Sequence, residues 1–182
     1  MKNYDFSNIS VLVSEHNSYM RQTMRSVLRT FNIGQIDEAA KPEMAWDMFK
    51  HRQPDVTFAD WAPGFDGMSL LKRIRRDPDS PNRYAPVIVV TSMTDQEHVL
   101  TARDLGMTEF LAKPYSPKLI FLRLQIIAER PRSFIRAGEF FGPDRRRRAM
   151  EVEEDRRARE EAIAAAEEAS RADRNEASAG AC

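Results

Sequence analysis

Several polar residues that could handle a phosphoryl group stand directly after apolar runs of the sequence. Asp60 ends "DVTFAD", Thr91 follows "PVIVV", and Lys113 follows "TEFLA". A carboxylate oxygen can attack phosphorus, a lysine ammonium can neutralise charge on the transferred oxygens, and a hydroxyl can donate a hydrogen bond to one of them. An Asp after a strand is by itself more often a helix cap or a loop anchor, so the joint pattern carries the interpretation.

The elements that must position these residues alternate along about the first 130 residues. The predicted strands are short and mostly apolar: "ISVLVS", "QIDEA", "DVTFAD", "PVIVVTS" and "TEFLA". The predicted helices between and after them are "SYMRQTMRSVLRTF", "PEMAWDMFKHR", "MSLLKRIRRD", "DQEHVLTARDLG" and "SPKLIFLRLQIIAE". Ser18 is the predicted N-cap of the first helix.

Five strand-then-helix units in series predict an α/β fold with a five-stranded parallel sheet covered on both faces. Right-handed crossovers make such a sheet doubly wound, and ligands bind beyond the carboxyl ends of its strands. The residues expected at that edge are Ser14-Glu15-His16, Asp60, Thr91-Ser92 and Lys113-Pro114.

The composition describes a globular region followed by a charged one. The chain has 182 residues, 42% of them hydrophobic, and a mean hydropathy of −0.56, and the segment after Pro143 is mostly Arg, Glu and Ala. The 28 basic residues balance 28 acidic ones, so net charge indicates no partner. A single cysteine, Cys182, favours a reducing compartment, and no apolar run is long enough for a membrane span. We therefore expect a soluble, cytoplasmic protein.

Over about residues 7 to 129 the sequence resembles the receiver domain of two-component response regulators, which has a flavodoxin-like (βα)5 fold. The matching pieces are "VLVSEHNSYMR", "VTFADWAPGFDGMSLLKRIR", "PVIVVTS" and "EFLAKPYSP", in order and with similar spacing. The resemblance implies that Asp60 is the phosphoacceptor, Thr91 the switch hydroxyl, Lys113 the phosphate-binding lysine and Phe110 the aromatic switch. A tryptophan directly after the acceptor, here Trp61, makes the sequence resemble the single-domain chemotaxis regulators in particular.

The resemblance also implies partners and a cofactor. Receivers take a phosphoryl group from a histidine kinase or a phosphotransfer protein with the help of Mg²⁺, and catalyse nothing beyond their own phosphorylation and dephosphorylation. Their switch alters the face formed by the fourth helix, fifth strand and fifth helix, where a downstream protein binds. The fifth helix, "KLIFLRLQII", has more apolar residues than one buried stripe needs, which also allows a homodimer.

Two departures from the family pattern concern the metal. The acidic pair after the first strand is Glu15 and His16, and the second position normally supplies a direct Mg²⁺ ligand. The loop "DWAPGFDG" is one residue shorter than usual, just after Ala62, whose backbone carbonyl normally binds the ion. Mg²⁺ prefers oxygen ligands and imidazole suits transition metals, so we expect Glu15, Asp60 and Ala62 as ligands, His16 as a doubtful one, and weak or absent Mg²⁺ binding.

Three interpretations of His16 remain open at this point. In the first, Asp60 is still phosphorylated despite His16, either slowly or with another metal. In the second, the domain is a pseudo-receiver in which protonated His16 replaces the cation beside Asp60. In the third, His16 is a loop residue that faces water.

The remainder of the chain divides into an aromatic segment, 131–144, and a charged segment, 145–182, after a receiver-like domain at 1–130. Phe134, Ile135, Phe140 and Phe141 are too apolar for a free linker, so they either fold back on the receiver or dock a partner. The charged segment predicts a solvated helix with a disordered end. Its arginines, Arg145, Arg146, Arg147 and Arg148, are candidate anion ligands for a nucleotide or nucleic acid, although the acidic residues that follow disfavour nucleic acid.

The sequence therefore favours a signalling module that acts by protein–protein contact. An adaptor that binds a nucleotide or nucleic acid through Arg145–Arg148 is the alternative from a different class. A small phosphatase with an aspartyl nucleophile is disfavoured, because no second carboxylate follows Asp60 at short spacing.

Overall fold

A computed structural model describes residues 4–144, and the charged segment with Arg145–Arg148 and Cys182 lies outside the described residues. The described part contains a five-stranded, entirely parallel sheet with helices on both faces. The strand order is β2-β1-β3-β4-β5. The doubly wound α/β fold predicted from the alternation of strands and helices is confirmed.

The elements begin and end within two residues of the sequence prediction. The strands are β1 (Ser10–Ser14), β2 (Gln35–Ala39), β3 (Val56–Trp61), β4 (Val87–Thr91) and β5 (Glu109–Ala112). The helices are α1 (Ser18–Thr30), α2 (Pro42–Arg52), α3 (Gly67–Arg76), α4 (Gln96–Asp104) and α5 (Pro117–Glu129). Among residues 4–144, no helix is both long and apolar enough to cross a membrane.

Each face of the sheet has its own hydrophobic core, because successive side chains of a strand point to opposite faces. Val11 and Val13 of β1 pack in the core formed with α1 and α5, whereas Leu12 packs in the core formed with α2, α3 and α4. Strands buried on both faces explain why the sequence shows apolar runs instead of alternation.

The starts of α1, α3, α4 and α5 are fixed by side-chain caps, whereas α2 begins with Pro42 and has none. The cap of α1 is Asn17, whose side-chain oxygen accepts from the Met20 N–H at 3.1 Å, so the prediction of Ser18 was wrong by one residue. Asp66, Asp95 and Ser116 cap α3, α4 and α5 in the same way.

The aromatic segment forms a β-hairpin that the sequence prediction missed. Its strands are β6 (Phe134–Ala137) and β7 (Phe140–Pro143), joined through Gly138, whose φ is +59°. The rings of Phe134 and Phe141 pack edge to face on Tyr84, at centroid distances of 5.2 and 5.4 Å. These side chains therefore contact the receiver-like unit, one of the two fates that the sequence left open.

Arg75 of α3 lies beneath this hairpin, fully buried, and holds several segments together. Its guanidinium donates to the carbonyls of Gly106 (2.9 Å), Ala85 (2.8 Å) and Arg83 (3.0 Å). The same group lies 5.1 Å from the centre of the Phe134 ring. Burial lowers the pKa of Arg75 to about 9, so the group is still charged at neutral pH.

Glycine is required where the hairpin meets the α4–β5 turn. A Cβ at Gly142 would lie 2.7 Å from the Cα of Gly106, and a Cβ at Gly106 would lie 2.7 Å from the Phe141 carbonyl oxygen. Gly106 also has a φ of +94°, which side chains rarely adopt. The two backbones can therefore approach this closely only without side chains.

We predict that Arg75→Met lowers the free energy of unfolding by about 3 kcal/mol or more, because several buried carbonyls lose their donor. Urea denaturation of the full chain measures this change. The control is Arg76→Met on the exposed side of the same helix, which is expected to change stability by less than about 0.5 kcal/mol. Equal effects of the two substitutions would show that the buried guanidinium does not hold the hairpin region.

Candidate functional site

The candidate site lies at the carboxyl edge of the sheet, where β1, β3 and β5 end. In the register of the neighbouring strands, Ser14 of β1 pairs with Ala59 of β3, so Glu15 and Asp60 follow side by side. The start of α3 packs tightly beneath this edge: a Cβ at Gly67 would lie 1.7 Å from the Asp60 carbonyl oxygen. The strand ends therefore converge as the parallel topology predicts.

Lys113 links the two carboxylates. Its Nζ donates to Oδ1 of Asp60 and to Oε2 of Glu15, each at 2.7 Å. Both acids are nearly inaccessible, with relative exposures of 1% for Asp60 and 4% for Glu15. Two buried carboxylates this close would repel each other, so the ammonium between them compensates their charge.

His16 binds the opposite side of the same carboxylates. Its Nδ1 lies 2.9 Å from Oδ2 of Asp60 and 3.2 Å from Oε1 of Glu15. The imidazole stacks on the Phe65 ring at a centroid distance of 5.2 Å and an interplanar angle of 28°. Although its side chain is half exposed, His16 is thus a contact of Asp60 and not simply a loop residue facing water.

The charges of the site shift the pKa values of its neighbours. Burial alone would lower the pKa of Lys113, but the hydrogen bonds and charges of Asp60 and Glu15 outweigh it and raise that pKa above its ordinary 10.5. Burial, reinforced by the same carboxylate charges, raises the pKa of Tyr115 to about 12. The stabilisation from Lys113 is therefore complete below its ordinary pKa and is lost only as pH rises through the folded-state value.

Thr91 lies on β4, the strand beside that of Asp60, and Phe110 lies one strand further on, on β5. Thr91 ends β4, opposite Trp61 in the register, and its buried hydroxyl oxygen accepts from the Met93 N–H at 3.0 Å. Phe110 of β5 is partly buried and packs against the core with α2, α3 and α4. Thr91 keeps its hydroxyl proton available for donation, as a hydroxyl can accept and donate at once.

The shortened loop forms a tight turn that engages Ala62. The Ala62 carbonyl accepts from the Phe65 N–H at 2.9 Å, and the Ala62 N–H donates to the Phe65 carbonyl at 3.3 Å. Gly64 has a φ of +81° in this turn. The carbonyl that the family resemblance assigns to the metal is thus already used by the protein.

The sequence interpretation missed some residues of the site. Phe65 supports the His16 ring, and the backbone N–H of Asn17 donates to Glu15 Oε1 at 2.8 Å. Ser14, which the sequence had placed at this edge without a role, lines a cavity of roughly 10 Å³ with Glu15 and Asp60, and its buried hydroxyl has no partner within residues 4–144. An aromatic ring in the shortened loop was the available signal for Phe65; a backbone donor leaves no signal in sequence.

The residues present fit Mg²⁺ poorly. Glu15, His16 and Asp60 each offer one ligand atom, and these atoms lie within 4.8 Å of one another. One of the three is imidazole nitrogen, whereas Mg²⁺ prefers oxygen ligands in a near-ideal octahedron. The Ala62 carbonyl accepts one hydrogen bond from Phe65 and keeps a second lone pair, so the misfit rests on the imidazole nitrogen that stands where an oxygen ligand is expected.

Comparison with known proteins identifies relatives of this chain. Residues 11–125 match the family model described as the response regulator receiver domain. Chemotaxis protein CheY-3 of Vibrio cholerae is 29% identical over 124 residues, which cover 68% of this chain and 94% of that protein. Chemotaxis protein CheY1 of Helicobacter pylori is 26% identical over 121 residues, which cover 65% of this chain and 96% of that protein.

Solved structures show the same similarity in three dimensions. A putative response regulator from Chloroflexus aurantiacus has a TM-score of 0.60 and 26% identity, covering 67% of this chain and 98% of its own. The Francisella response regulator 1452 receiver domain also has a TM-score of 0.60 and 26% identity, and the match covers 68% of this chain and 98% of that domain.

We predict that Lys113→Met lowers the free energy of unfolding by about 3 kcal/mol, because two buried carboxylates lose their cation. Asp60→Asn should cost less in the Lys113→Met background than in the parent, with a coupling energy of about 0.5–3 kcal/mol. Urea denaturation of the four proteins in this cycle measures the coupling, which should be the same at about pH 7 and about pH 9, since Lys113 stays protonated throughout.

The matched control is Lys118→Met, an exposed lysine at the start of α5. Absence of coupling between Lys113 and Asp60, or a coupling that also involves Lys118, would contradict the charge-compensation account.

Proposed function

Because this chain belongs to the response regulator receiver domain family, we propose that it is a single-domain response regulator whose Asp60 accepts a phosphoryl group. The donor is a histidine kinase or a phosphotransfer protein carrying a phosphohistidine. One observation carries the proposal: the buried Asp60 carboxylate ends β3 with the Lys113 ammonium 2.7 Å from one of its oxygens. Receivers are signalling domains, and the chain acts as a switch, not as an enzyme on an external substrate.

The transfer is a substitution at phosphorus. An Asp60 oxygen forms the new O–P bond while the N–P bond of the donor phosphohistidine breaks, and its electron pair returns to the donor imidazole. Lys113 stays beside Asp60 and neutralises charge on the transferred oxygens. The Thr91 hydroxyl donates its proton to one of these oxygens, since accepting from the Met93 N–H leaves that proton available.

His16 supplies a second polar group at this point. Its Nδ1 lies beside Oδ2, the Asp60 oxygen that Lys113 does not contact. We expect Mg²⁺ binding at this point to be weak, because imidazole nitrogen stands where Mg²⁺ prefers an oxygen ligand. No step of the transfer is assigned to that ion.

The output follows from the displacement of Thr91 and Phe110. Phosphorylation acts on a two-state element, and here the movement would reach the face formed by α4, β5 and α5. Leu119 and Leu122 of α5 are 39% and 40% exposed, which is unusual for leucine. A downstream protein or a second copy of this chain binds that face. The cytoplasmic location expected from the sequence stays a prediction.

The pseudo-receiver is the second candidate, and one observation favours it. Both oxygens of Asp60 are already paired, Oδ1 with Lys113 and Oδ2 with His16. A carboxylate held on both sides is a weaker nucleophile, since attack requires one of these bonds to open. In this alternative the ionic cluster is permanent and the partner-binding face does not switch.

Incubation with acetyl phosphate separates the two candidates. We predict that the intact mass of the full chain rises by one phosphoryl group, and that Asp60→Asn abolishes the rise because the nucleophile is lost. Asp66→Asn is the matched control, since Asp66 lies in the same loop but caps α3. A mass gain that persists in Asp60→Asn, or no gain under any divalent ion, would leave the pseudo-receiver as the function.

A further inference from the structure

We propose that Glu15, His16 and Asp60 form a site for a divalent transition-metal ion, of which Zn²⁺ and Ni²⁺ are representatives, in preference to Mg²⁺. The inference rests on the proposed function, because one of the ligands, Asp60, is the proposed phosphoacceptor. Binding of the ion does not itself require phosphorylation, so the two ideas can fail separately.

The spacing of the ligand atoms suits one ion. His16 Nδ1 lies 2.9 Å from Asp60 Oδ2 and 3.2 Å from Glu15 Oε1. Metal–ligand bonds of about 2.0–2.2 Å place adjacent ligands of one ion about 3 Å apart. The imidazole nitrogen and one oxygen of each acid therefore already stand at the separations of neighbouring ligands.

Lys113 leaves these oxygens to the metal. Its ammonium binds Oε2 of Glu15 and Oδ1 of Asp60, the oxygens that are not paired with His16. Two carboxylates and one ammonium leave a net negative charge, which a divalent cation offsets. Lys113 thus acts as an outer contact that orients the ligating carboxylates.

Further contacts hold the ligands in place. Phe65 stacks on the His16 ring and fixes its plane, and the Asn17 N–H holds Glu15 Oε1 at 2.8 Å. The unpartnered hydroxyl of Ser14 lines the small cavity beside Glu15 and Asp60, which has room for about one water-sized ligand. The ligand side chains are therefore preorganised by their neighbours, unlike a group of acids that are merely close on the surface.

The donor set decides which ion is preferred. Imidazole binds Zn²⁺ and other first-row transition metals well, whereas Mg²⁺ takes oxygen and releases its water reluctantly. In the complex Nδ1 gives its lone pair to the ion, and the ring proton is on Nε2. An aspartate at position 16 would replace this nitrogen with oxygen and favour the harder ion.

Calorimetric titration of the full chain with Zn²⁺, Ni²⁺ and Mg²⁺, each alone, tests the proposal. We use Cys182→Ser as the parent, because a terminal thiol also binds Zn²⁺. The parent is expected to bind Zn²⁺ and Ni²⁺ at least about tenfold more tightly than Mg²⁺, and His16→Ala to lose about 10–100-fold of that affinity. His16→Asp is expected to reverse the preference towards Mg²⁺.

His98→Ala and His51→Ala are the matched controls, since His98 also contacts a carboxylate, that of Asp95. Both should leave the Zn²⁺ affinity unchanged. Co²⁺ provides a second readout, because its visible absorption shows whether nitrogen and oxygen ligands surround it, and the spectrum should disappear in His16→Ala. Thermal unfolding without metal establishes that each variant is folded.

Mg²⁺ affinity equal to that of Zn²⁺, or Zn²⁺ binding that survives His16→Ala, would overturn the proposal. His16-dependent Zn²⁺ binding without any mass gain from acetyl phosphate would support the metal site and refute phosphorylation. The opposite pattern, phosphorylation without selective Zn²⁺ binding, would refute the metal site alone.

Discussion

The arrangement of the site depends on one interaction, the bridging of two buried carboxylates by the Lys113 ammonium. Glu15 and Asp60 end adjacent strands, and β4 lies between Asp60 and the strand that carries Lys113. The lysine therefore reaches across the end of β4, where Thr91 lies. Lys113 can bridge Glu15 and Asp60 only when β1, β3, β4 and β5 are assembled in this order. The ionic cluster therefore depends on the complete sheet.

His16 changes what this cluster can do while leaving its frame intact. An acidic residue in its place would add a third carboxylate and a stronger demand for a hard cation. Imidazole instead donates to Asp60 or accepts a softer metal, and Phe65 in the shortened loop supports the ring. The two departures seen in sequence are thus one structural change, since the residue of the short loop packs on the residue that replaced the acid.

The sequence predicted the sheet well, because buried parallel strands read as apolar runs and helices as amphipathic ones. The convergence of Glu15, Asp60 and Lys113 followed from the rule that the carboxyl ends of parallel strands lie at one edge of the sheet. The hairpin was missed because its strands have four residues each and owe their burial to Arg75 and Tyr84, which are distant in the chain. The α1 cap was misplaced by one residue, since Asn17 and Ser18 are both good capping residues and backbone geometry chooses between them.

The contact between Gly106 and Gly142 has a mechanical consequence for α4. The carboxyl end of that helix leads into Gly106, whose carbonyl is held by Arg75 and whose backbone lies against β7. Its amino end begins at Gln96, a few residues after Thr91, and the ring of His98 lies 5.0 Å from the ring of Trp61, the residue after Asp60. The helix is therefore held by the backbone at Gly106 and by a ring contact at its other end, so a movement of Trp61 at the phosphoacceptor edge would displace the amino end of α4 more than its carboxyl end.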